Sequence, residues 1–409
     1  MSEKIKKAAK LILQNSLEQI DGTVSPLEFH QRIISDILTT LEPRARAVLR
    51  EYLNYLLKEM REKEASDIDF GGIGANGNIW LRVHGNKQPF PELGCLTPQE
   101  SDLLILANLT REQQNLLLEE RSLDFSYVLA NNTRMRYRAS VYFDLDHLSL
   151  NMRAINTYVR SYNSYNFSEP VTRMLSLAHT KDGLILVTGI TGSGKSTTLD
   201  AIIQMNNESV DAHVVIIASP VEFVHTSQKC IIRHREVGRD TRSFKSGTIE
   251  ALRQDPDIIV IGEMRDPETI LAALEVADSG HKVFSTLHTS SAVESIDRIL
   301  GEVPPIEQER VKNRLADVLR VVISQKLVPT IKGGRTLAKE VLVVTPSVKA
   351  AIKNNNTGEI YQMLNEGRKW GMNTLEQDLL RLVKEKQITR ETALNYANNK
   401  NRMQQLLQL

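Results

Sequence analysis

Hydrophobic residues recur at helical spacing through the opening of the chain. Ile5, Ala9, Leu13, Leu17 and Ile20 fall near one face, and Asp21-Gly22 ends that stripe. Ser25-Pro26-Leu27-Glu28 has the form of a capping box with proline in its first turn, which predicts a helix through Leu41. After Pro43, a third stripe runs through Val48, Tyr52, Leu56 and Met60. Residues 1–62 therefore read as a helical N-terminal extension. Helices alone over that length are marginal, so their apolar stripes need something to pack on.

From Ala65 the period shortens to two. Asp67 to Phe70 and Asn78 to His84 are candidate strands on either side of a glycine-rich turn, and Leu103 to Leu118 has a helical pattern. Met135, Tyr137, Ala139, Val141 and Phe143 then alternate with Arg134, Arg136, Arg138 and Ser140. Leu148, Leu150, Met152 and Ala154 alternate in the same way with His147, Ser149, Asn151 and Arg153. Residues 63–156 are predicted to form an α+β domain. The arginine row admits two readings, a solvated strand edge that blunts aggregation or an anion-facing surface. Residues 157–168 are polar and aperiodic, which suits a linker.

The second half alternates short apolar runs with helical segments. Leu184 to Thr188, His213 to Ile217, Ile258 to Ile261 and Lys282 to Thr286 are the predicted strands of a doubly wound parallel α/β sheet over residues 169–346. The site of such a sheet lies at its carboxyl strand ends. Residues 347–409 are helical and polar. There, Thr374-Leu375-Glu376-Gln377 should cap a helix with Leu379, Leu380 and Val383 facing inward.

A chain of 409 residues has room for two or three domains, and 41% hydrophobic residues can furnish their cores. Fifty-one basic residues against 50 acidic ones leave a net charge of +1, which argues against a protein built to hold a nucleic-acid backbone. Cys95 and Cys230 lie far apart and match no metal or redox spacing, so free thiols in a reducing compartment are expected. The start is charged and helical, with no apolar stretch of signal-peptide type. No segment approaches the ~20 apolar residues that cross a bilayer. The expectation is a cytoplasmic protein that meets a membrane through partners.

Chemistry concentrates where the first apolar run of the second half ends. Gly189-Ile-Thr-Gly192-Ser-Gly194-Lys195-Ser196 matches G-x-x-x-x-G-K-[ST] in full. Its glycines let successive N–H groups turn inward around phosphate oxygens. Thr191, Ser193 and Thr197 lie within or beside the loop. Lys195 should stand as a solvent-facing charge against the β- and γ-phosphates of ATP, and the Ser196 hydroxyl is placed to ligate Mg²⁺. A helix starting near Lys195 would aim its positive end at the same anion. Glu263 closes the strand Ile258 to Ile261 and is a candidate to hold Mg²⁺ or polarise water; a structural ion pair with Arg265 is the alternative. Glu222, in Pro220-Val221-Glu222-Phe223, adds a second carboxylate. His281 and His288 bracket the last predicted strand, either as satisfied polar residues or as reporters of a γ-phosphate.

Six segments in order carry a resemblance: ASDIDF from Ala65, the phosphate loop, PVEFVH from Pro220, REVGRDT from Arg235, RQDPDIIVIGEMRDPETI from Arg253 and GHKVFSTLHTSSAVESIDR from Gly280. Together they resemble the PilT branch of the type II/type IV secretion ATPase superfamily, over roughly residues 62–390. That branch includes pilus retraction motors and the ATPases of type IVB secretion and conjugative transfer. The resemblance implies a ring-shaped homohexamer on inner-membrane platform proteins, each subunit having a PAS-like N-terminal domain, a RecA-like core and ATP between them. It implies that Lys195 and Ser196 form the Walker A site and Glu263 the Walker B carboxylate. Glu222 matches the last acid of the aspartate box, which orients water, and His281 and His288 match the histidine box. Arg138 and Arg153 match arginines that reach the nucleotide.

Three departures accompany the match. The box that reads E-D-P-x-E in relatives is Ala218-Ser219-Pro220-Val221-Glu222 here, lacking two carboxylates. The retraction signature A-I-R-N-L-I-R survives only as Ser347-Val348-Lys349-Ala350-Ala351-Ile352-Lys353. The first 45 or so residues have no counterpart in the usual retraction motor, which favours a secretion or conjugation variant. The expectation is a hexameric ATPase that turns hydrolysis into domain motion for a secretion, conjugation or pilus machine. Its rivals are a nonhydrolysing ATP-binding assembly subunit and a RecA-like nucleic-acid translocase, which would need a basic, aromatic channel that 5% aromatic residues do not suggest.

Overall fold

The computed structural model describes residues 2–20, 25–129, 132–155 and 158–408. Asp21 and Gly22, the expected stop of the first helix, lie outside the described residues, as do Thr157 of the expected linker and the side chain of Arg134. The chain divides into two compact units, Met1–Thr157 and Tyr158–Leu409. Among the described residues no helix is long and apolar enough to cross a membrane.

In the first unit, β1 (Ala65–Gly71), β2 (Trp80–Val83), β3 (Asn86–Pro89), β4 (Ser122–Leu129), β5 (Asn132–Asp144) and β6 (His147–Ala154) form one antiparallel sheet in the order β3-β2-β1-β6-β5-β4. Alternation is visible in its burial. Tyr137, Ala139, Val141, Leu148, Leu150 and Met152 are inside, while Arg138 and Arg153 are exposed on the other face. The predicted helices run over Ser2–Leu17 and Pro43–Glu62, and the one between them widens into a π turn at Ile33–Ile37 before ending at Thr40. Ala9, Leu13, Ile33, Leu53, Leu56 and Met60 join Ile68, Tyr137 and Met152 in a single cluster, so the stripes of the helices find their partner in the sheet.

The expected helix Leu103 to Leu118 is two helices, Pro98–Ala107 and Arg111–Glu120. Each opens on a capping box, Thr97 with Glu100 and Thr110 with Gln113. The second box supplies a helix start in the middle of the periodic stretch, and this overrides the continuous pattern.

In the second unit, β7 (Gly183–Thr188), β8 (Ala212–Ala218), β9 (Cys230–Glu236), β10 (Ile258–Ile261), β11 (Lys282–Leu287), β12 (Leu319–Pro329) and β13 (Arg335–Val343) lie in the order β13-β12-β7-β11-β10-β8-β9. All neighbours run parallel except the β12–β13 pair. Every residue of β7, β10 and β11 is buried, as expected for strands covered on both faces. The sequence reading did not mark β9, β12 or β13. Polar Arg233, His234 and Arg235 interrupt β9, and Ser324, Gln325 and Lys326 interrupt β12. The capping box at Thr374 is complete; of the residues expected inward, Leu379 is fully buried, while Leu380 and Val383 pack partly buried against the same cluster, which Leu375 and Leu382 complete. That helix packs with Val328, Ala338, Ala393 and Met403 in a separate cluster. The stretch expected to be a linker carries a 3₁₀ turn at Tyr162–Tyr165, and its Tyr165 is buried in the second unit.

One buried carboxylate ties the first unit together. Asp102 Oδ1 accepts from the Leu148 amide at 2.6 Å; its Oδ2 lies 2.8 Å from His147 Nδ1 and 3.3 Å from His30 Nε2. Asp102→Ala should cost about 3–5 kcal/mol, on the scale of breaking a buried pair. The hydrogen bond to Asp102 raises the pKa of His147 above its ordinary 6.5. A raised folded-state pKa means that stabilisation is complete below the unfolded value and is lost as pH rises through the folded one. The thermal stability of wild type relative to Asp102→Asn should therefore shrink as pH rises past the ordinary histidine value of 6.5. A gap that widens with rising pH would remove the ion pair from this account.

Candidate functional site at the carboxyl ends of the parallel strands

Strand β7 delivers the chain into Gly189–Ser196. Gly189 has φ +149°, and a Cβ there would stand 2.4 Å from Ser193 Oγ and 2.5 Å from the Gln325 carbonyl oxygen. Only a residue without a side chain allows that closeness. Gly194, at φ +87°, is the N-cap of the helix Lys195–Ser209 and has no side chain to satisfy the first-turn amides. Those donors remain directed at whatever lies over the loop. Ser193 is buried, and its Oγ has no hydrogen-bond partner among the described residues. An anion over the loop would supply the missing acceptor, so the loop fits the phosphates of a nucleotide.

Lys195 does not face solvent as the sequence reading expected. It is 8% exposed, and its Nζ donates to the carbonyls of Gly189 at 2.8 Å and Ile190 at 3.2 Å. An ammonium cannot remain unsolvated, and without an anion the nearest acceptors are those of its own loop. Burial lowers its pKa from the ordinary 10.5; the carboxylates of Glu263 and Glu222 oppose that shift, and Arg265 reinforces it.

Glu263 follows β10, and Gly262 is held to β8 by a 2.8 Å bond from its amide to the Ile217 carbonyl. The Glu263 carboxylate forms an ion pair with Arg265, 2.8 Å from its Nε, and lies 3.8 Å from His288 Nε2. The ion pair with Arg265 is present, and its carboxylate also faces the lysine. His288, just beyond β11, turns its Nδ1 towards the Thr191 hydroxyl at 3.5 Å. Burial and the charges of Lys195, Arg265 and Arg298 lower its pKa below the ordinary 6.5, which keeps the ring neutral at neutral pH. The tautomer that suits both neighbours carries its proton on Nε2, towards Glu263, and accepts from Thr191 on Nδ1. Gly189, Thr191, Lys195, Glu222, Glu263 and His288 thus gather at one rim. Ser196 and Thr197 follow in the first turn of the helix, partly buried.

His281 is not among them. Parallel register pairs Lys282 with Gly183 and Leu287 with Thr188, which puts His281 at the amino edge of the sheet. A six-residue strand, ~20 Å long, separates it from His288. Its Nδ1 lies 2.9 Å from the Ser279 hydroxyl, the satisfied polar contact that was its alternative. Within this chain's own phosphate loop, His281 has no part. Arg138 and Arg153, in the first unit, are direct cross-strand partners. Arg153 Nε donates to Asp67 at 2.7 Å, while Arg138 reaches the exposed Asp124 at 3.4 Å.

Three further features went unmarked in the sequence. Tyr165 donates from its hydroxyl to the Thr197 carbonyl at 3.0 Å, and its ring stacks on Phe167. Glu236, the register partner of Ala218, accepts from the Val221 amide at 3.1 Å and so brings a buried carboxylate under the altered aspartate box. His225, three residues after Glu222, sets its Nε2 3.1 Å from Asp200 on the helix behind the phosphate loop. Burial raises the pKa of Asp200, and His225 opposes the shift. The segments PVEFVH and REVGRDT contain two of these groups, yet no spacing rule assigns them.

The family of type II/IV secretion system proteins matches residues 42–404. The chain belongs to that family. A twitching motility protein of Neisseria gonorrhoeae is 38% identical over 325 residues, which is 79% of this chain and 85% of the relative. The type IV pilus retraction ATPase PilT of Pseudomonas aeruginosa is 37% identical over 83% of this chain and 96% of its own length. Among solved structures, the pilus retraction motor PilT with bound ADP superimposes with a TM-score of 0.77 at 34% identity, covering 86% of this chain and 98% of that one. The ATPase DotB of Legionella pneumophila gives 0.72 at 27% identity, over 84% and 94%. These likenesses span both units of the secretion-family fold.

Replacing Glu263 by Gln keeps its shape but removes its charge. Turnover should fall by ~10²-fold or more while nucleotide still binds, the scale of lost electrostatic or acid–base help. Phosphate release and fluorescent-nucleotide titration on the same preparation would check both halves. Wild-type turnover would leave Glu263 as no more than the partner of Arg265.

Proposed function

We propose that the chain is an ATPase that couples ATP hydrolysis to domain motion and so powers a type IV pilus or secretion machine. The observation that carries this reading is the meeting of Lys195, Glu263 and His288 at the ends of three adjacent parallel strands, β7, β10 and β11. Family membership, the pilus retraction ATPases and the ATPase DotB among its relatives support it. The Ser196 hydroxyl and Glu263 would hold Mg²⁺, which would offset phosphate charge in the reaction. Lys195 would give up its loop carbonyls for phosphate oxygens, and Glu222 and Glu263 would orient water. Arg138 and Arg153 would supply further positive charge to the nucleotide, as the family resemblance implies, and product release would reset the cycle.

The working form in this reading is a homohexamer in the cytoplasm, docked on inner-membrane platform proteins and not inserted in the membrane. Phosphate release by the purified intact chain, lost in Lys195→Ala, tests the hydrolytic part. Capture of partners from native membranes separates pilus, secretion and conjugation roles. A second reading, an assembly subunit that binds ATP without hydrolysing it, rests on Ala218 and Ser219. Ala218 closes β8 beside Gly262, at a position where a Gly262 Cβ would lie 3.3 Å from the Ala218 Cα.

Ala218→Glu combined with Ser219→Asp should raise the hydrolysis rate, and Glu222→Gln should cancel the gain, because one carboxylate in a dry site contributes ~10²-fold or more. The already buried Glu236 would limit the gain by repulsion. Steady-state phosphate release across the three variants decides the matter. An unchanged rate in the double variant with a fast wild type would make positions 218 and 219 dispensable. No hydrolysis by any form, even in assembled rings, would favour the nonhydrolysing subunit.

A further inference from the structure

Strand β12 runs alongside β7 with Ser324 in register with Thr188, and the two hydroxyls lie 2.7 Å apart. The next residue, Gln325, therefore comes level with Gly189, where the phosphate loop begins. Its backbone carbonyl fills the space that a side chain on Gly189 would need, and its amide nitrogen would lie 3.4 Å from a Cβ on Gly194. The side chain is 2% exposed and makes two bonds. Nε2 donates to the Ser193 carbonyl at 2.8 Å, and Oε1 accepts from the Thr198 hydroxyl at 2.9 Å. Thr198 and Ser193 are themselves buried. One amide thus ties the loop to the first turn of the helix that follows it.

Peptide planarity gives that tie a direction. In a trans peptide the C=O and the following N–H point opposite ways. The Ser193 carbonyl shares its peptide with the Gly194 N–H, so pulling the carbonyl back towards β12 turns the Gly194 N–H away from β12. Gly194 is left-handed, at φ +87°, a conformation that glycine adopts without strain. The Thr198 bond sets the rotation of the first helical turn, which carries Lys195 and Ser196.

We propose that Gln325 is a positioning residue of the phosphate loop: it holds the Ser193 carbonyl back and thereby aims the Gly194 amide at the phosphates of a bound nucleotide. This rests on the reading of Gly189–Ser196 as the nucleotide site. The role belongs to ground-state phosphate binding, so it applies to ATP and ADP alike and to the affinity more than to the chemical step. Glutamine is required because one arm must donate and the other accept. Glutamate would turn a carboxylate oxygen onto the Ser193 carbonyl, and methionine would fill the volume with neither group.

The test uses the full-length chain with Gln325→Glu, Gln325→Met and, as a control on the site itself, Lys195→Ala. Fluorescent ATP and ADP are titrated, with inorganic tripolyphosphate as competitor, and thermal melting and kcat at saturating ATP are recorded. Gln325→Met should weaken ATP and ADP by ~10-fold, and Gln325→Glu by more, the size of one or two lost hydrogen bonds. Tripolyphosphate should weaken by the same factor, and kcat should stay within ~3-fold, since the loss is in binding. Wild-type affinity in Gln325→Met, beside lost affinity in Lys195→Ala, overturns the inference and spares the site. A loss seen for ATP but not for tripolyphosphate also overturns it, because the phosphates would not be what Gln325 governs. Should Gln325→Glu not fold, Gln325→Met still decides. Unchanged binding in Lys195→Ala would refute the nucleotide site itself, and the inference with it.

Discussion

A buried ammonium tied to its own loop is the constraint around which this site is arranged. Lys195 is held by two carbonyls of its own loop. The surrounding charges are disposed about it. Glu263 and Glu222 favour the charged lysine, Arg265 draws the Glu263 carboxylate to one side, and a neutral His288 stands between Glu263 and the loop tip. Lysine, carboxylates, arginine and histidine thus form one connected set of charges at the rim, in which a change at one member is felt by the others.

The parts of the fold that depend on periodicity were legible in the sequence. Full burial of β7, β10 and β11 follows from continuous apolar runs, and the exposed arginines of β5 and β6 follow from alternation. The phosphate loop was legible because its chemistry needs fixed residue types at fixed spacing. Strand β12 was not, because polar Ser324, Gln325 and Lys326 sit where a buried strand should be apolar. Each has a specific partner: Thr188, the phosphate loop, and the Asn398 side chain. A functional strand gave up its periodic signal for directed bonds.

The errors in the site were of another kind. Lys195 was expected in solvent because a sequence does not show which backbone acceptors surround a side chain. His281 was grouped with His288 by proximity in sequence, although a strand sends its two ends to opposite edges of the sheet. Tyr165 was hidden in a polar, aperiodic stretch in which Tyr162, Tyr165 and Phe167 pack within the second unit.

The cluster that joins the N-terminal helices to the first sheet bears on how this protein can be cut and rebuilt. Leu13, Ile33, Leu53 and Met60 are walls of the same interior as Ile68 and Tyr137. A chain shortened to its first strand would keep the sheet but open that interior to water along one whole side. The helices are thus not an appendage to be trimmed in search of a minimal motor. A chimera that replaces them must rebuild the face of the core that they supply.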